Sequence, residues 1–420
     1  MRTCRVRYSA LIVMAAVCLF AGAVPASGAD FKLTPSITLS ESYTDNVYES
    51  RLHKKSEFIT DIMPGFSMIY TAPFWNWDLD YRLDYRIYDL HTKSNELNNY
   101  VTAIGHVRVV DNTVFVDVRD TYSRTSLDVI RGVTTDSSVN QTDANDLSIS
   151  PYITLSPGGR MALKAGYIYR NLYYSDPAAI GRQEHSGFAR LSHQLTPKTN
   201  IFANGIYTHS ITSNGVNYDV ITPSAGFDYE YATQAFAACE GGYSYVRLKK
   251  GSYSSPYWNA RLSYPYNKYV ATLGTGVSYD ADPRLSISER RNISARLDRT
   301  LERGGIDVYG NYSEYKNVQT NKDYSRGYEV GGNGIYSFTQ RTTGHLDLEL
   351  DKLEGTGVGY ESGYRCRFGT GLVYQMPYDL SVGMNYNYTA NRGGLANEGD
   401  INRFSLFVTK RFPPINLSYR

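Results

Sequence analysis

The sequence is poor in long apolar runs and in cysteine. Beyond the N-terminal region no segment approaches about 18 consecutive apolar residues, which excludes a membrane protein built of helices. Of the 4 cysteines, only Cys239 and Cys366 lie outside the N-terminal leader described below. We interpret these two as small apolar residues on different hairpins and not as a disulfide.

Signatures of catalysis and of cofactor binding are also missing. The sequence has no G-x-S-x-G, H-E-x-x-H, C-x-x-C or P-loop motif, and its 7 histidines are scattered singly. It also has no C-x-x-C-H motif for attachment of a c-type haem. We therefore expect no enzyme, no metal site and no cofactor. The net charge of +2 includes three leader arginines, so the remaining chain is nearly neutral, which indicates no nucleic-acid partner.

The N-terminal region has the pattern of a secretory signal peptide. Three arginines precede an apolar run from Ala10 to Val24, and small residues follow at 27–29. This pattern predicts cleavage before Asp30. Residues 1–29 would then be the leader, and residues 30–420 a single barrel domain.

Tyrosine and glycine are abundant, at 39 and 36 residues. Tyrosine is typical of strand faces and of membrane interfaces, and glycine is typical of tight turns and crowded barrel walls. The negative mean hydropathy would suit a soluble protein. A membrane β-barrel hides its apolar face by alternation, however, so an average over the chain does not exclude it.

The stretch from Trp75 to Tyr88, WNWDLDYRLDYRIY, alternates two chemistries without a break. Its odd positions are apolar or aromatic, and its even positions are polar or charged up to the final tyrosine. Because successive strand side chains point to opposite faces, this pattern predicts one apolar and one charged face. The 14 residues exceed the roughly nine to eleven that a tilted strand needs to cross a bilayer. We therefore expect a transmembrane strand whose charged face meets a wet lumen.

Turn signals recur along the whole chain. Nine short connections alternate with ten longer polar ones, which include Lys249 to Ser255 and, as the longest, Ser126 to Asp146. This alternation predicts an all-β fold: a transmembrane antiparallel up-and-down β-barrel of about 20 strands, within a range of 18 to 22. Both chain ends would lie at the short-turn end. A soluble propeller or β-solenoid would explain a repeat period but not the alternation of connection lengths.

The parity of the strands selects candidates for the lumen wall. We predict that these charged side chains line it: Asp78, Asp80, Arg82, Asp84, Arg86, Asp117, Arg119, Arg296, His345, Asp347, Glu349 and Arg365. Their period-two spacing, with arginines between carboxylates, favours a solvated wall over a catalytic carboxylate pair. Glu41, Arg299 and Glu314 have the opposite parity, and we expect them near strand ends, where a charge costs little.

Three segments carry a resemblance to a known family. PSITLSESYTDNVY, SEFITDIMPGFS and DTYSRTSLDV, beginning at Pro35, Ser56 and Asp120, resemble porin-like outer-membrane β-barrel proteins of Gram-negative bacteria. Members are often associated with exopolysaccharide or cell-surface export systems. The resemblance implies a C-terminal signal for the barrel-insertion machinery at the closing strand ending in Phe412. This chain departs from that pattern because Pro413 to Arg420 follow.

The connection from Ser126 to Asp146 is the third long one, and it resembles the porin loop that folds inward as an acidic constriction. Its candidate constriction residues are Asp128, Arg131, Asp136, Asp143 and Asp146. Carboxylates facing an arginine-bearing wall create a transverse field that selects small polar solutes and ions. The alternatives are an ordinary solvated loop and a Ca²⁺ site.

These patterns lead us to expect a protein of the Gram-negative outer membrane with both termini in the periplasm. The predicted function is a passive aqueous channel for small hydrophilic solutes or ions. The alternatives are an export channel of an exopolysaccharide system and a structural barrel that sheathes a periplasmic partner. Expected partners are outer-membrane lipid and lipopolysaccharide, the barrel-insertion machinery and, for an exporter, periplasmic export components. The sequence does not fix the oligomeric state.

Overall fold

The computed structural model describes residues 28–127, 141–233, 235–249, 251–280, 283–355, 362–393 and 399–419. The strands are β1 (Ala29–Thr44), β2 (Glu57–Thr71), β3 (Trp75–Tyr88), β4 (Glu96–Val110), β5 (Val114–Ser126), β6 (Gln141–Leu155), β7 (Met161–Tyr174), β8 (Arg182–Thr196), β9 (Thr199–Thr212), β10 (Tyr218–Ala232), β11 (Ala235–Leu248), β12 (Gly251–Tyr266), β13 (Tyr269–Asp280), β14 (Ser288–Leu301), β15 (Gly304–Asn317), β16 (Lys322–Ser337), β17 (Thr342–Gly355), β18 (Gly363–Met376), β19 (Leu380–Arg392), β20 (Asp400–Arg411) and β21 (Ile415–Tyr419). Within these ranges no helix is long and apolar enough to cross a membrane.

The sheet closes on itself as a barrel. Each strand from β1 to β19 pairs antiparallel with its successor, and β20 pairs back onto β1, where Thr38 lies opposite Thr409. Twenty strands about 4.8 Å apart and tilted by about 40° enclose a ring roughly 40 Å across. The predicted all-β, antiparallel barrel of 20 strands is confirmed.

The two ends of the barrel differ in their connections. Nine short turns join β2 to β3, β4 to β5 and so on to β18 and β19, and they lie within a few residues of the predicted positions. Asn112 and Asn267, in two of these turns, have φ angles of 56° and 54°, a conformation that asparagine tolerates well. We call this the short-turn end. The opposite, long-loop end carries the connection between Ser126 and Gln141, the longest in the chain.

One predicted long loop is wrong. Residues Lys249 to Ser255 do not form an extended connection, because β12 begins at Gly251 and pairs with β11 at once. The run of small polar residues there has the composition of a loop. Its partners on β11 decide otherwise, since Tyr253 lies opposite the buried Val246.

Two prolines divide the closing strand. β20 ends at Arg411, opposite Ser36, and β21 resumes at Ile415, opposite Leu33, so the register against β1 shifts by one residue. Proline lacks the N–H that a strand ladder needs, which explains the gap at 413–414. Ala29, the predicted last residue of the leader, is the first residue of β1; residues 1–27 lie outside the described ranges.

An apolar belt covers the outer face of the barrel. On β17, Leu346, Leu348 and Leu350 point outward and are about half exposed, at 51%, 47% and 52%. Aromatic pairs border the belt: Tyr229 with Tyr231 and Tyr336 with Phe338 toward the short turns, and Tyr243 with Tyr245 and Tyr312 with Tyr328 toward the long loops. An apolar band between aromatic girdles is typical of barrels that sit in a bilayer.

Glu41, Arg299 and Glu314 lie within three residues of a strand end, as expected. Glu41 accepts a hydrogen bond from Thr60 at 2.6 Å, and Glu314 accepts one from Arg326 at 3.2 Å. Arg299 stacks over Tyr269, with its guanidinium carbon 5.1 Å from the ring centre. Each of these charges therefore has a polar or aromatic partner at the edge of the belt.

Connections at the long-loop end fold against the wall and against one another. Ile287 and Val318, from two such connections, pack on Tyr218, Val220 and Val246 of β10 and β11. The connection from β7 to β8 meets the one from β13 to β14, where the Ile180 N–H donates to the Pro283 carbonyl at 2.6 Å. The structure therefore covers one side of this mouth with loops.

Candidate functional site: the lumen wall

The strand pairing fixes which side chains face the lumen. Directly opposite residues lie on the same face of the sheet, so the pairs can be followed around the ring. The face opposite the apolar belt carries all twelve predicted wall residues: Asp78, Asp80, Arg82, Asp84, Arg86, Asp117, Arg119, Arg296, His345, Asp347, Glu349 and Arg365. Alternation within single strands was the signal that found them.

The long-loop half of β3 holds a buried ion-pair cluster. Arg86 Nε donates to Asp61 Oδ1 at 2.9 Å, and Arg86 Nη2 donates to Asp84 Oδ2 at 3.3 Å. The three side chains are 12% exposed or less. Asp61, on β2, was absent from the predicted set, although it has the parity of the lumen face.

The short-turn half of the same face is different. Asp78, Asp80 and Arg82 form no ion pair in the described part of the chain; Arg82 lies over the ring of Tyr100, 4.4 Å from its centre. These residues face open space, where solvent screens their charges.

His106 pairs with Asp117 across β4 and β5. Its Nδ1 lies 2.6 Å from Asp117 Oδ1, and its ring stacks on Phe115 with the centres 5.5 Å apart. Arg119, two residues further along β5, is exposed on the same face. The sequence reasoning treated His106 as an isolated histidine, because its partner belongs to another strand.

A second charged network covers the lumen face from β14 to β18. Arg296 contacts Asp298 at 2.8 Å and Asp307 at 3.2 Å, and Arg365 contacts Asp351 at 2.8 Å. His345 Nε2 lies 3.9 Å from Asp347 Oδ2. The network places fixed charges of both signs on one wall.

Three carboxylates of this network lie close together. Oxygen atoms of Glu329, Glu349 and Asp351 fall within 4.8 Å of one another, a spacing that a cation could bridge. Arg367, which the sequence reasoning missed despite its parity with Arg365, pairs with Glu349, and Arg365 pairs with Asp351. Cations of the wall itself therefore balance two of the three carboxylates.

The predicted constriction residues separate into two groups. Asp143 and Asp146 are not in a loop, because β6 begins at Gln141 and includes both. Asp146 lies on the lumen face and accepts two hydrogen bonds from Arg170, at 2.8 and 2.7 Å. Asp143 Oδ1 lies 3.7 Å from Arg124 Nε. The remaining three, Asp128, Arg131 and Asp136, lie outside the described residues.

Among the hollows that open from the described wall into the lumen, three can be placed by their lining residues. One, of about 540 Å³, extends from β20 across β1, β2 and β3 to β4, and its lining residues include Lys32, Arg82 and Arg411. A second, of about 710 Å³, spans β8 to β12, and a third, of about 660 Å³, spans β12 to β16. Asn259 and Arg261 line both of these, so they form one continuous trough.

Comparison with known proteins gives a fold and no family. No protein family matches the chain, and no curated protein matches it. Among solved structures, the FrpB iron transporter from Neisseria meningitidis, F3-3 variant, matches with a TM-score of 0.52 at 9% identity, over 94% of this chain and 83% of that chain. The F5-1 variant matches with a TM-score of 0.50 at 9% identity, over 90% and 82%. The chain has the fold of an outer-membrane β-barrel.

Proposed function

We propose that the protein is a channel of the outer membrane through which small hydrophilic solutes or ions diffuse. The observation that carries this proposal is the charged wall of the lumen, where charges of both signs face the interior at Asp80, Arg82, Arg119 and Asp347. Such charges are costly in lipid or in a dry core and are stable beside water. A ring about 40 Å across is wider than its wall side chains can fill.

Planar-bilayer recording of the refolded protein tests this proposal. We expect stable conductance steps that grow in proportion to the concentration of the bathing salt. A folded, heat-modifiable barrel that inserts into the bilayer and passes no current would contradict the channel. Recordings with neutral oligosaccharides of graded length would then report the width of the passage, since only sugars that enter it reduce the current.

The constriction hypothesis stays a prediction, restricted by the structure to residues 127–140. Asp128, Arg131 and Asp136 are its remaining candidates in that segment. Deletion of 128–140 should raise the single-channel conductance if these residues narrow the passage. An unchanged conductance in the deletion variant would remove the hypothesis.

Passage of a saccharide chain is a second candidate, favoured by the trough from β8 to β16. Asparagine amides line it at Asn200, Asn259, Asn292, Asn311 and Asn333. Amides both donate and accept, as the hydroxyl groups of a neutral glycan require. Long oligosaccharides would then block the current for prolonged periods, and the time that each sugar stays in the pore would increase with its chain length. Such a result would favour this candidate over free diffusion.

The orientation and the partners complete the proposal. Both ends of the described chain lie at the short-turn end, which we place in the periplasm, in contact with the insertion machinery during assembly. The belt would contact membrane lipid, and the long-loop end lipopolysaccharide. The third alternative, a barrel that sheathes a periplasmic partner, stays a prediction and requires an occupied lumen. The iron transport named for the structural neighbours carries no weight here, because 9% identity supports only the fold.

A further inference from the structure

Three cations around the hollow between β20 and β4 have no carboxylate partner. Lys32, Arg82 and Arg411 line it, and none of them forms an ion pair in the described chain. Elsewhere on the wall, cations such as Arg86 and Arg365 are paired. This hollow therefore has an excess of positive charge that the protein does not neutralise.

The two arginines stand in a single row across the closing seam. Arg411 lies opposite Ser36, Ser36 opposite Gly65, and Gly65 opposite Arg82. Three strand spacings separate the arginine backbones by about 14 Å. The two residues between them, Ser36 and Gly65, are small, and we call them the floor of the hollow. The long side chains of Arg82 and Arg411 stand on either side of this floor.

Gly65 is required in this floor. A Cβ at that position would lie 2.7 Å from the carbonyl oxygen of Tyr81 and 3.6 Å from Ser36 Oγ. A larger residue would displace the backbone of β3 and fill the space between the arginines. The local packing thus keeps the hollow open.

Hydroxyl groups supply most of the remaining polar lining. They belong to Thr34, Ser36, Thr38, Ser67 and Thr102, while Asp80 is the only carboxylate among the lining residues. Guanidinium groups bind oxyanions through paired N–H donors, and hydroxyls donate to the oxygens left over. The volume of about 540 Å³ suits a small organic molecule.

We propose that this hollow is a binding subsite for a solute that carries two oxyanion groups, either phosphate or carboxylate. Arg82 and Arg411 hold one group each above the Ser36–Gly65 floor, and Lys32 adds a third positive charge toward the short-turn end. The proposal deepens the channel function, since it makes one side of the lumen attract dianions. It predicts slower passage for such solutes than for neutral ones of equal size.

Calorimetric titration of the folded, detergent-solubilised protein tests the subsite without any current. The probes are pyrophosphate, succinate and, as a neutral reference, glucose. We expect both anions to bind and glucose not to bind, and the tighter of the two anions identifies the group that the site prefers. In the double variant R82Q/R411Q the affinity for the tighter anion should fall about tenfold or more.

The matched control is R119Q, which removes an exposed lumen arginine outside the hollow. Equal loss of affinity in R119Q, or absence of binding to the unchanged protein, would overturn the subsite. Heat-modifiable mobility on gels establishes that each variant has folded, and the single variants R82Q and R411Q serve if the double variant has not. Binding without conductance would reject the channel alone, and conductance without binding would reject the subsite alone.

Discussion

Arg86 on β3 and Asp61 on β2 form a hydrogen-bonded ion pair across the lumen face, with Nε 2.9 Å from Oδ1. Asp84 contacts the same guanidinium at 3.3 Å. Arg82, four residues earlier on the same face, has no such partner among the residues that the structure describes. One strand thus carries an arginine paired with carboxylates and one that stacks only on Tyr100, which makes a direct comparison of their roles possible.

Replacing Arg86 should destabilise the barrel far more than replacing Arg82. R86Q leaves two buried carboxylates without their cation, and losses of about 3–5 kcal/mol are typical of broken buried pairs. R82Q removes an exposed cation that has no carboxylate partner among the described residues and stacks on Tyr100, so it should change the free energy of unfolding by less than about 1 kcal/mol. Urea titrations of both variants in lipid vesicles measure the difference. Equal midpoints would show that the Arg86 cluster is solvated in the folded protein.

The contact of Phe407 with Gly383 gives a second prediction. A Cβ on Gly383 would lie 2.3 Å from Cζ of Phe407, whose ring covers the glycine from the neighbouring strand. We expect G383A to cost about 1–3 kcal/mol through overpacking. Gly205, on β9, has nothing within 4 Å of its added Cβ, so G205A is the matched control. A loss in G205A as large as that in G383A would mean that strand glycines matter here for reasons other than space.

The apolar belt predicts a strong difference between adjacent positions of β17. L348R places a cation at the middle of the belt and should cost about 2–4 kcal/mol in lipid. D347R places the same group on the lumen face, beside water, and should cost less than about 1 kcal/mol. Denaturation in vesicles measures both variants. Similar losses would indicate that the outer face of β17 does not contact the hydrocarbon region.

Glu289, near the start of β14, links this strand to β12 beside the connection at 283–287. It is fully buried, and its Oε2 accepts hydrogen bonds from Ser255 at 2.6 Å and Tyr253 at 3.0 Å. Arg291 lies 2.8 Å from Oε1. E289A should loosen the neighbouring connection at 283–287 and cost about 1–3 kcal/mol, because it leaves buried donors unsatisfied.

Hydrogen exchange followed by mass spectrometry measures this effect. Amides of 283–287 should exchange faster in E289A, while those of the short-turn end keep their protection. The control is E302A, which changes an exposed residue of a short turn. Unchanged exchange at 283–287 would show that its other contacts, such as the packing of Ile287 and the hydrogen bond of Pro283 with Ile180, hold the connection in place.

The sequence by itself determined most of the strands, their number of about 20 and the face taken by the twelve predicted wall residues. These are local properties: the alternation from Trp75 to Tyr88 needs no neighbour, and a turn such as that at Asn112 is fixed by a few residues. For the same reason Asp143 and Asp146 were misplaced in a loop, and Lys249 to Ser255 were taken for one. Their polar composition has no strong alternation, and only pairing with a neighbouring strand makes them strand residues.

The tertiary structure alone decided which charges meet. Arg86 finds Asp61 and Asp84, whereas Arg82, of the same parity on the same strand, faces Gly65 and an open hollow. That difference depends on the register between strands and on the closure of β20 onto β1, which bring Arg411 into the row of Arg82 from the far end of the chain. Register is a property of paired strands, so a single strand's sequence does not contain it.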